Sequence, residues 1–318
     1  MFSFREKYSP LGVDFGSRFI KVVQLKKTSK GICVFYKAVE QTPPETIEGG
    51  MIKDPEKIGR CLNKICFSRS FRSRRAVVSV RGENAILKSM VFPGSIRKSE
   101  LEKVVSLELE KYFSSSPEDI ISDYETAVDR SGQRRVLLAA VLKKVVEGYM
   151  EAIDWAGLYP QALETEAVAL TRRFYFLLNS LPGNKEGGRQ HLLMDIGAET
   201  VHVILTKDNF IRFSRCFSWD GIDYPELAAA VQRTVDYFEF KTREENPPGG
   251  YLFITGGKAN EKGLGEYITG KLEVDNVLLE PMSFSQKKQN IFGIVNGDCN
   301  LTHTAAGLAL RGWEDAWH

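Results

Sequence analysis

The sequence predicts an α/β protein with two lobes, and three observations support this fold class. A chain of 318 residues exceeds the usual size of one compact core. Short apolar runs joined by tight turns, typical of antiparallel strands, open the chain at residues 11–15, 19–25 and 32–39. The same layout returns in the second half of the chain, at residues 192–196, 201–205 and 210–217. A repeat of this kind predicts two halves with one shared architecture.

The remaining elements follow from spacing and turn residues. The pair Asp54-Pro55 is typical of a helix start, and the apolar residues after it continue at helical spacing. Further apolar stripes predict helices at about 101–112, 145–155, 167–179, 225–241 and after residue 304. Further strands are predicted at 76–80, 86–92, 124–128, 136–142, 159–164 and 251–254. A glycine-rich linker at 181–189 divides the chain into a first lobe, residues 1–190, and a second lobe, residues 191–318.

Composition argues against several classes of function. The formal net charge is only +2, so no global field favours nucleic acid. The first ten residues lack the apolar core of a signal peptide, and no run of about 18 apolar residues occurs. The five cysteines match no zinc or redox spacing, and the four histidines are scattered. We therefore predict a cytoplasmic protein.

Two short motifs carry the chemistry. The first is Asp14-Phe15-Gly16-Ser17 with Lys21 four residues later, and the second is Asp195-Ile196-Gly197 with Thr200 three residues later. Each places an aspartate at the end of an apolar strand and a glycine in the following turn. Glycine lets backbone N–H groups approach a phosphate closely, and two facing turns can hold a triphosphate whose Mg²⁺ is organised by the aspartates. The alternative for either motif alone is an ordinary hairpin turn.

A third motif, Thr255-Gly256-Gly257, follows an apolar strand near the end of the chain. In this order the three motifs resemble the phosphate 1, phosphate 2 and adenosine motifs of the actin, sugar kinase and heat-shock chaperone superfamily. Within it the chain is similar to the PilM family of type IV pilus assembly proteins, relatives of the cell-division protein FtsA. The segments that also match this family are 49–55, 107–112, 156–158, 164–170 and 305–310.

The resemblance implies an actin-like (ribonuclease H-like) fold, with a PilM/FtsA-type subdomain inserted in the first lobe at about 86–158. It implies ATP and Mg²⁺ as ligands, with Asp14 and Asp195 holding the metal through water. The residues that it assigns to the nucleotide site are Asp14, Gly16, Ser17, Lys21, Asp195, Gly197, Thr200, Gly256 and Gly257. Glu166 occupies the position where the superfamily often has a polar residue that positions water. The alternative for Glu166 is a carboxylate that stabilises the start of a helix.

One departure from the family limits these expectations. After Trp219-Asp220-Gly221 the chain passes through one helix directly to Tyr251, where the family has a longer segment that covers the nucleotide. A shortened upper subdomain exposes the phosphates to water and weakens electrostatic interactions there. We therefore expect nucleotide binding that is weak or absent, and at most a weak ATPase; a nucleotide-binding or degenerate scaffold is favoured over an enzyme.

The resemblance also implies a partner. In the PilM family a groove beside the inserted subdomain accepts the cytoplasmic tail of the membrane protein PilN, and we expect an extended tail to bind by adding a strand and filling apolar pockets. The expected place is the cytoplasm at the inner face of the inner membrane, with the membrane reached only peripherally through partners. Self-association is left open, and no nucleic acid is expected. The alternatives are a sugar or metabolite kinase of the same superfamily, a filament-forming division protein like FtsA, and a cytoplasmic component of type II secretion.

A basic run precedes the strand at 76–80, with arginines at positions 69, 72, 74 and 75. The leading interpretation is a solvated surface loop. The alternative is attraction to the anionic inner leaflet, where each charge adds about 1 kcal/mol near the surface. Without interleaved aromatic residues on a platform, nucleic-acid binding ranks below both.

Overall fold

The structure is a computed structural model that describes residues 7–29, 31–68, 71–112, 117–129, 131–181, 188–219, 223–242, 250–259, 261–272, 276–279 and 300–316. The strands are β1 (Tyr8–Phe15), β2 (Phe19–Thr28), β3 (Gly31–Gln41), β4 (Ile47–Glu48), β5 (Met51–Ile52), β6 (Arg75–Val80), β7 (Ala85–Pro93), β8 (Ile120–Val128), β9 (Gln133–Leu142), β10 (Tyr159–Thr165), β11 (Gln190–Ile196), β12 (Thr200–Lys207), β13 (Phe210–Ser218), β14 (Tyr251–Thr255) and β15 (Asn276–Leu279). The helices are α1 (Pro55–Ser68), α2 (Lys98–Glu110), α3 (Lys143–Trp155), α4 (Glu166–Leu178), α5 (Tyr224–Thr242), α6 (Leu264–Leu272) and α7 (His303–Leu310).

Two five-stranded sheets have the same construction. The first has the order β10-β6-β1-β2-β3, and the second has the order β13-β12-β11-β14-β15. In each, a three-stranded antiparallel meander continues into parallel strands. The predicted repeat is therefore confirmed at the level of the sheets, whereas the division into lobes at residue 190 stays a prediction.

The first sheet is covered by helices that carry its parallel crossovers. Helix α1 leads into β6 and α3 leads into β10, and the two helices pack on each other. Asp54 caps α1 by accepting a hydrogen bond from the Lys57 amide at 2.9 Å, as its sequence predicts. The apolar stripe of α1 joins the core beneath the sheet through Ile58, Leu62 and Ile65, all of which are buried.

The predicted insertion contains a separate three-stranded antiparallel sheet, β7-β9-β8, with α2 packed on it. Leu101 and Val105 of α2 meet Val136 and Leu138 of β9 in a small core of their own. Strand β7 also contacts β13, so the insertion touches the second sheet.

Helix α7 packs among α4, β1 and β2 and ties the end of the described chain to the first sheet. Glycines make this close approach possible. A Cβ at Gly307 would lie 1.9 Å from the Ala169 carbonyl oxygen, and one at Gly12 would lie 1.9 Å from the Ala305 carbonyl oxygen. Arg172 fastens the contact by donating to Glu164 at 2.6 Å and to the Gly307 carbonyl at 3.0 Å.

Most predicted elements are confirmed with boundaries shifted by a few residues, but the two-residue strands β4 and β5, helix α6 and strand β15 were not predicted. Helix α6 is only 9 residues long and includes Gly265 and Gly270. Glycine has low helix propensity. This helix is therefore stabilised by tertiary packing of Leu264 and Ile268 in the second core, the apolar cluster on the second sheet. Residues 182–187 of the predicted linker lie outside the described residues, as do Asp220 and Gly221.

Candidate active site

The first predicted phosphate turn joins β1 to β2. Asp14 and Lys21 are register partners on these strands, and the Lys21 ammonium lies 2.8 Å from Asp14 Oδ2. The Gly16 amide donates to the Phe19 carbonyl at 3.0 Å, which closes the turn. A Cβ at Gly16 would lie 2.9 Å from the Phe19 carbonyl oxygen, a backbone atom of the same turn, so the close approach favours glycine. Ser17 is half-buried in the same turn.

The second predicted turn joins β11 to β12 in the same way. The Gly197 amide donates to the Thr200 carbonyl at 2.9 Å, and Asp195 is the register partner of His202. The two turns thus have one design, with an aspartate at the strand end and a glycine two residues later. Asp195 is half-buried and Thr200 stands at the start of β12.

The third predicted motif lies directly against the second. Gly256 has a φ of +98°, and a Cβ there would lie 2.4 Å from Asp195 Oδ1 and 2.3 Å from the Ile196 carbonyl oxygen. Both the left-handed backbone and the close approach require glycine. Gly257 is exposed, and Lys258 returns to the second turn by donating its amide to Ile196 at 3.0 Å.

Arg81 joins the two halves of the site, and the sequence patterns did not reveal it. It follows β6 of the first sheet, and its guanidinium donates to the Thr200 hydroxyl on the second sheet at 2.8 Å. Its Nε lies 3.3 Å from Glu83, and the side chain is almost fully buried. Burial disfavours the charged form of Arg81, but the negative charges of Glu166, Glu83 and Asp14 have the larger effect. They raise the pKa of Arg81. The signal available in the sequence was a lone arginine directly after a buried strand.

Glu166 lies at the start of α4 and also connects the two sheets. Its Oε2 accepts the Gly82 amide at 3.1 Å and lies 3.8 Å from His202 Nδ1. The other ring nitrogen of His202 is 2.7 Å from the Ser214 hydroxyl. Burial alone would raise the pKa of Glu166, but His202 and Arg81 lower it to about 2. Glu166 is thus held as a carboxylate in an interaction network, beyond a simple helix-start role.

Asp195 has the opposite electrostatic environment. Burial raises its pKa to about 6, and the negative charges of Glu166 and Asp14 add to the shift, whereas Lys21 and His202 act against it. Asp195 therefore carries a carboxylate that its surroundings do not fully neutralise. A divalent cation at this position would relieve the repulsion among the carboxylates.

Most of the predicted site residues, namely the two aspartate turns, Gly256 and Glu166, therefore meet in one place together with Arg81, and we call this place the cleft. It combines carboxylates that suit Mg²⁺ with an ammonium and a guanidinium that suit phosphate. Within the described ranges, no group of three or more His, Cys, Asp or Glu side chains is arranged to hold a metal ion directly. The donor set fits a hydrated magnesium phosphate better than a metal held by protein ligands alone.

A cavity of about 200 Å³ adjoins the cleft. It lies between the start of β7, the start of α4 and strands β12 and β13. The residues that line it are Gly82, Ala85, Ile86, Leu87, Thr165, Ala167, His202, Ser214 and Cys216. Burial raises the pKa of the Cys216 thiol to about 12, so this cysteine is a neutral wall residue.

Comparison with protein families gives a match for residues 12–226, more than half of the chain, to the model described as "Type IV pilus assembly protein PilM". The chain belongs to the PilM family. This confirms the resemblance inferred from the sequence and makes the chain a type IV pilus assembly protein. The matched segment includes both aspartate turns, Arg81 and Glu166.

Solved structures share the fold of this PilM-family chain. One, a "PilM-PilN type IV pilus biogenesis complex", has a TM-score of 0.79 at 22% identity and covers 98% of this chain and 99% of that one. A Bacteroides thetaiotaomicron protein with an actin-like ATPase fold has a TM-score of 0.52 at 9% identity, covering 88% and 93%. The cytoplasmic domain of EpsL, an inner membrane component of the Vibrio cholerae type II secretion system, has a TM-score of 0.51 at 11% identity. It covers 95% of this chain and 94% of that one. The predicted actin-like fold class is confirmed.

In the part of this PilM-family chain that the structure describes, no helix is long and apolar enough to cross a membrane.

Proposed function

We propose that this PilM-family chain is a nucleotide-dependent scaffold at the inner face of the inner membrane, where it binds the cytoplasmic tail of a PilN-like membrane protein. The family match supports the pilus setting, and the fold shared with the PilM-PilN complex supports the choice of partner. The type II secretion setting rests only on a distant likeness to EpsL and is less favoured.

We propose Mg·ATP as the ligand of the cleft. The observation that carries this is the convergence of two aspartate–glycine turns of the same design, one from each sheet, on one site. Lys21 and Arg81 would neutralise phosphate charge, and Asp14 and Asp195 would orient the waters of the magnesium ion. Gly256 would let the adenosine side of the ligand approach the second turn. Bound Mg·ATP supplies contacts to both sheets at once, which favours a closed arrangement of the two.

The cleft supports a ligand role for ATP better than a kinase reaction. A kinase needs a base whose pKa lies near neutral to accept the proton of an acceptor hydroxyl. Glu166 lies between Thr165 and Ala167, two residues that line the cavity of about 200 Å³, but its pKa of about 2 makes it a weak base. ATP consumption that appears only with a hydroxyl compound, and is lost in Glu166→Gln, would establish the kinase alternative.

Calorimetric titration with Mg·ATP tests the proposal. We expect the unmodified protein to bind and both Asp14→Ala and Asp195→Ala to lose at least about tenfold in affinity, because each removes a carboxylate that orients the magnesium waters. Asp154→Ala is the control, since Asp154 is an exposed aspartate at the far end of α3. Absence of heat with the unmodified protein would reject the nucleotide proposal, and equal affinities in all variants would reject the assignment of the cleft.

A further inference from the structure

The edge of the first sheet at which its parallel strands begin lies opposite the cleft, and it combines positive charge with exposed aromatic rings. Strands β1, β6 and β10 run parallel, and their carboxyl ends deliver Asp14, Arg81 and Glu166 to the cleft. Their amino ends therefore lie together at the other edge, about 20 Å away for strands of this length. Helices α1 and α3 also end there, because each leads into one of these strands.

Several chain segments meet at this edge. Tyr8 pairs with Lys26, and the β2–β3 hairpin turns beside them. The Arg72 amide donates to Gln24 Oε1 at 2.8 Å, and the Tyr159 amide donates to the Arg74 carbonyl at 2.8 Å. We name this region the basic edge and define it as residues 7–10, 24–29, 31–36, 71–75 and 155–160.

The basic edge has a strong charge bias. Its segments contain no aspartate or glutamate, and its cations are Lys7, Lys26, Lys27, Arg72, Arg74 and Arg75. The whole chain, by contrast, has a formal net charge of only +2. Arg72 and Arg74 are exposed. Positive charge is thus concentrated on the side of the first sheet that faces away from the cleft.

Exposed aromatic rings accompany these cations. Tyr159 is 68% exposed and Trp155 is 48% exposed, while Phe67, at the adjoining end of α1, is 57% exposed. The Arg74 guanidinium lies 4.7 Å from the centre of the Phe67 ring, and the Lys26 ammonium lies 5.7 Å from that of Tyr8. These rings place apolar surface beside the positive charges of the basic edge.

Acidic residues of α1 and α3 near the basic edge are accompanied by cations. Glu56 forms an ion pair with Arg60 at 2.9 Å, and Arg60 in turn covers the Trp155 ring at 5.3 Å. Asp154 precedes Trp155 at the end of α3 and is exposed. The exposed Lys64 on α1 offsets Asp154 in the charge count.

We propose that the basic edge binds the surface of a bilayer that contains anionic lipids. Cations near such a surface each contribute about 1 kcal/mol, and Trp and Tyr rings favour the headgroup region. Binding there leaves the cleft facing away from the bilayer. This inference goes beyond the proposed function, which needs only a tail peptide and a nucleotide, and it gives the arginine run of the sequence a role.

Co-sedimentation of the full chain with extruded vesicles tests the proposal. One set contains phosphatidylcholine alone, and the other contains phosphatidylcholine with about 30% phosphatidylglycerol, each in low and high NaCl. We expect binding to the anionic vesicles only, with at least about a tenfold loss between about 50 and about 500 mM salt. Two double variants are compared in the same assay. Arg72→Glu/Arg74→Glu reverses two charges of the basic edge, and Lys98→Glu/Lys103→Glu is the matched control, a double charge reversal on exposed residues of α2.

The expected result is at least about a tenfold loss of vesicle binding for the arginine pair and less than about a twofold loss for the lysine pair. A third variant, Phe67→Ser/Tyr159→Ser, keeps all charges and is expected to lose about threefold or more. The proposal is overturned if the unmodified protein ignores anionic vesicles, or if it binds neutral vesicles equally well. It is also overturned if both charge-reversal pairs behave alike. Binding of an RNA or an acidic protein that depends on Arg72 and Arg74, with none to vesicles, overturns it as well and assigns the basic edge to that other class.

Discussion

At the scale of the residue, the charge of Asp195 connects stability with ligand binding. The carboxyl group is half-buried beside Glu166 and Asp14, and its pKa rises to about 6 from an ordinary value of 3.8. The folded protein therefore binds this proton more tightly than the unfolded chain does. Stability from this group is complete below pH 3.8, falls as the pH rises to about 6, and stays reduced above it.

The resulting prediction concerns Asp195→Asn. In the ligand-free protein at about pH 7.5 the neutral amide removes the repulsion, so the free energy of unfolding should rise by up to about 3 kcal/mol. The gain should shrink towards zero near about pH 4. Urea denaturation at several pH values measures this, with Asp154→Asn as the exposed control. A destabilised Asp195→Asn protein, or a gain that does not depend on pH, would contradict the electrostatic account.

Arg81 illustrates what local sequence patterns do not reveal. The aspartates of the two turns were found because an aspartate two residues before a glycine is a local pattern. Arg81 has no such pattern, and its partner Thr200 is 119 positions away in the chain. Only the parallel pairing of β6 with β1 brings it to the first turn, where it reaches Thr200 of the second.

At the scale of the element, the close packing of α7 against α4 depends on the absence of a side chain at Gly307. We expect Gly307→Ala to lower the free energy of unfolding by about 3 kcal/mol, because the new methyl group would overlap the Ala169 carbonyl of α4. Gly270→Ala on α6 is the matched control, since its Cβ would meet open space. That change should raise the free energy of unfolding by up to about 1 kcal/mol through helix propensity. Equal effects in urea denaturation would show that α7 is not closely packed there.

Some elements could be predicted from the local sequence and others could not. Helix α1 was predicted from its N-cap and its apolar stripe. Strands β1 and β2 were predicted from apolar runs joined by a glycine turn. Helix α6 was not, because two glycines in 9 residues weaken the local signal and the second core supplies its stability. Packing overrode propensity there.

At the scale of the whole molecule, the cleft and the insertion are connected through β7, which contacts β13 of the second sheet. A nucleotide that favours one arrangement of the sheets should therefore change the affinity for a tail peptide bound beside the insertion, and the peptide should change nucleotide affinity equally. We expect Mg·ATP to tighten binding of a synthetic PilN-like tail by about fivefold or more.

Calorimetry measures this coupling in both orders of addition. The control is Asp14→Ala, which should bind the peptide as the ligand-free protein does, with or without Mg·ATP. Peptide affinity that is the same within about twofold in both states would indicate a scaffold without nucleotide control. No heat with peptide in any state would reject the tail as a partner, independently of the nucleotide result.

The sequence by itself determined the local features: the two aspartate–glycine turns, the meanders that carry them, and the family to which the chain belongs. The turns and meanders follow from residues that are neighbours in the chain, where turn chemistry and apolar spacing act directly, whereas the family followed from the resemblance of the motifs to those of known proteins. The tertiary structure alone decided that Arg81 and Glu166 join the two turns, and that scattered cations and aromatic rings form the basic edge. Both outcomes depend on the parallel order of β10, β6 and β1, which brings strand ends together across long stretches of chain. That order results from how whole elements bury their apolar faces against one another, which no local pattern encodes.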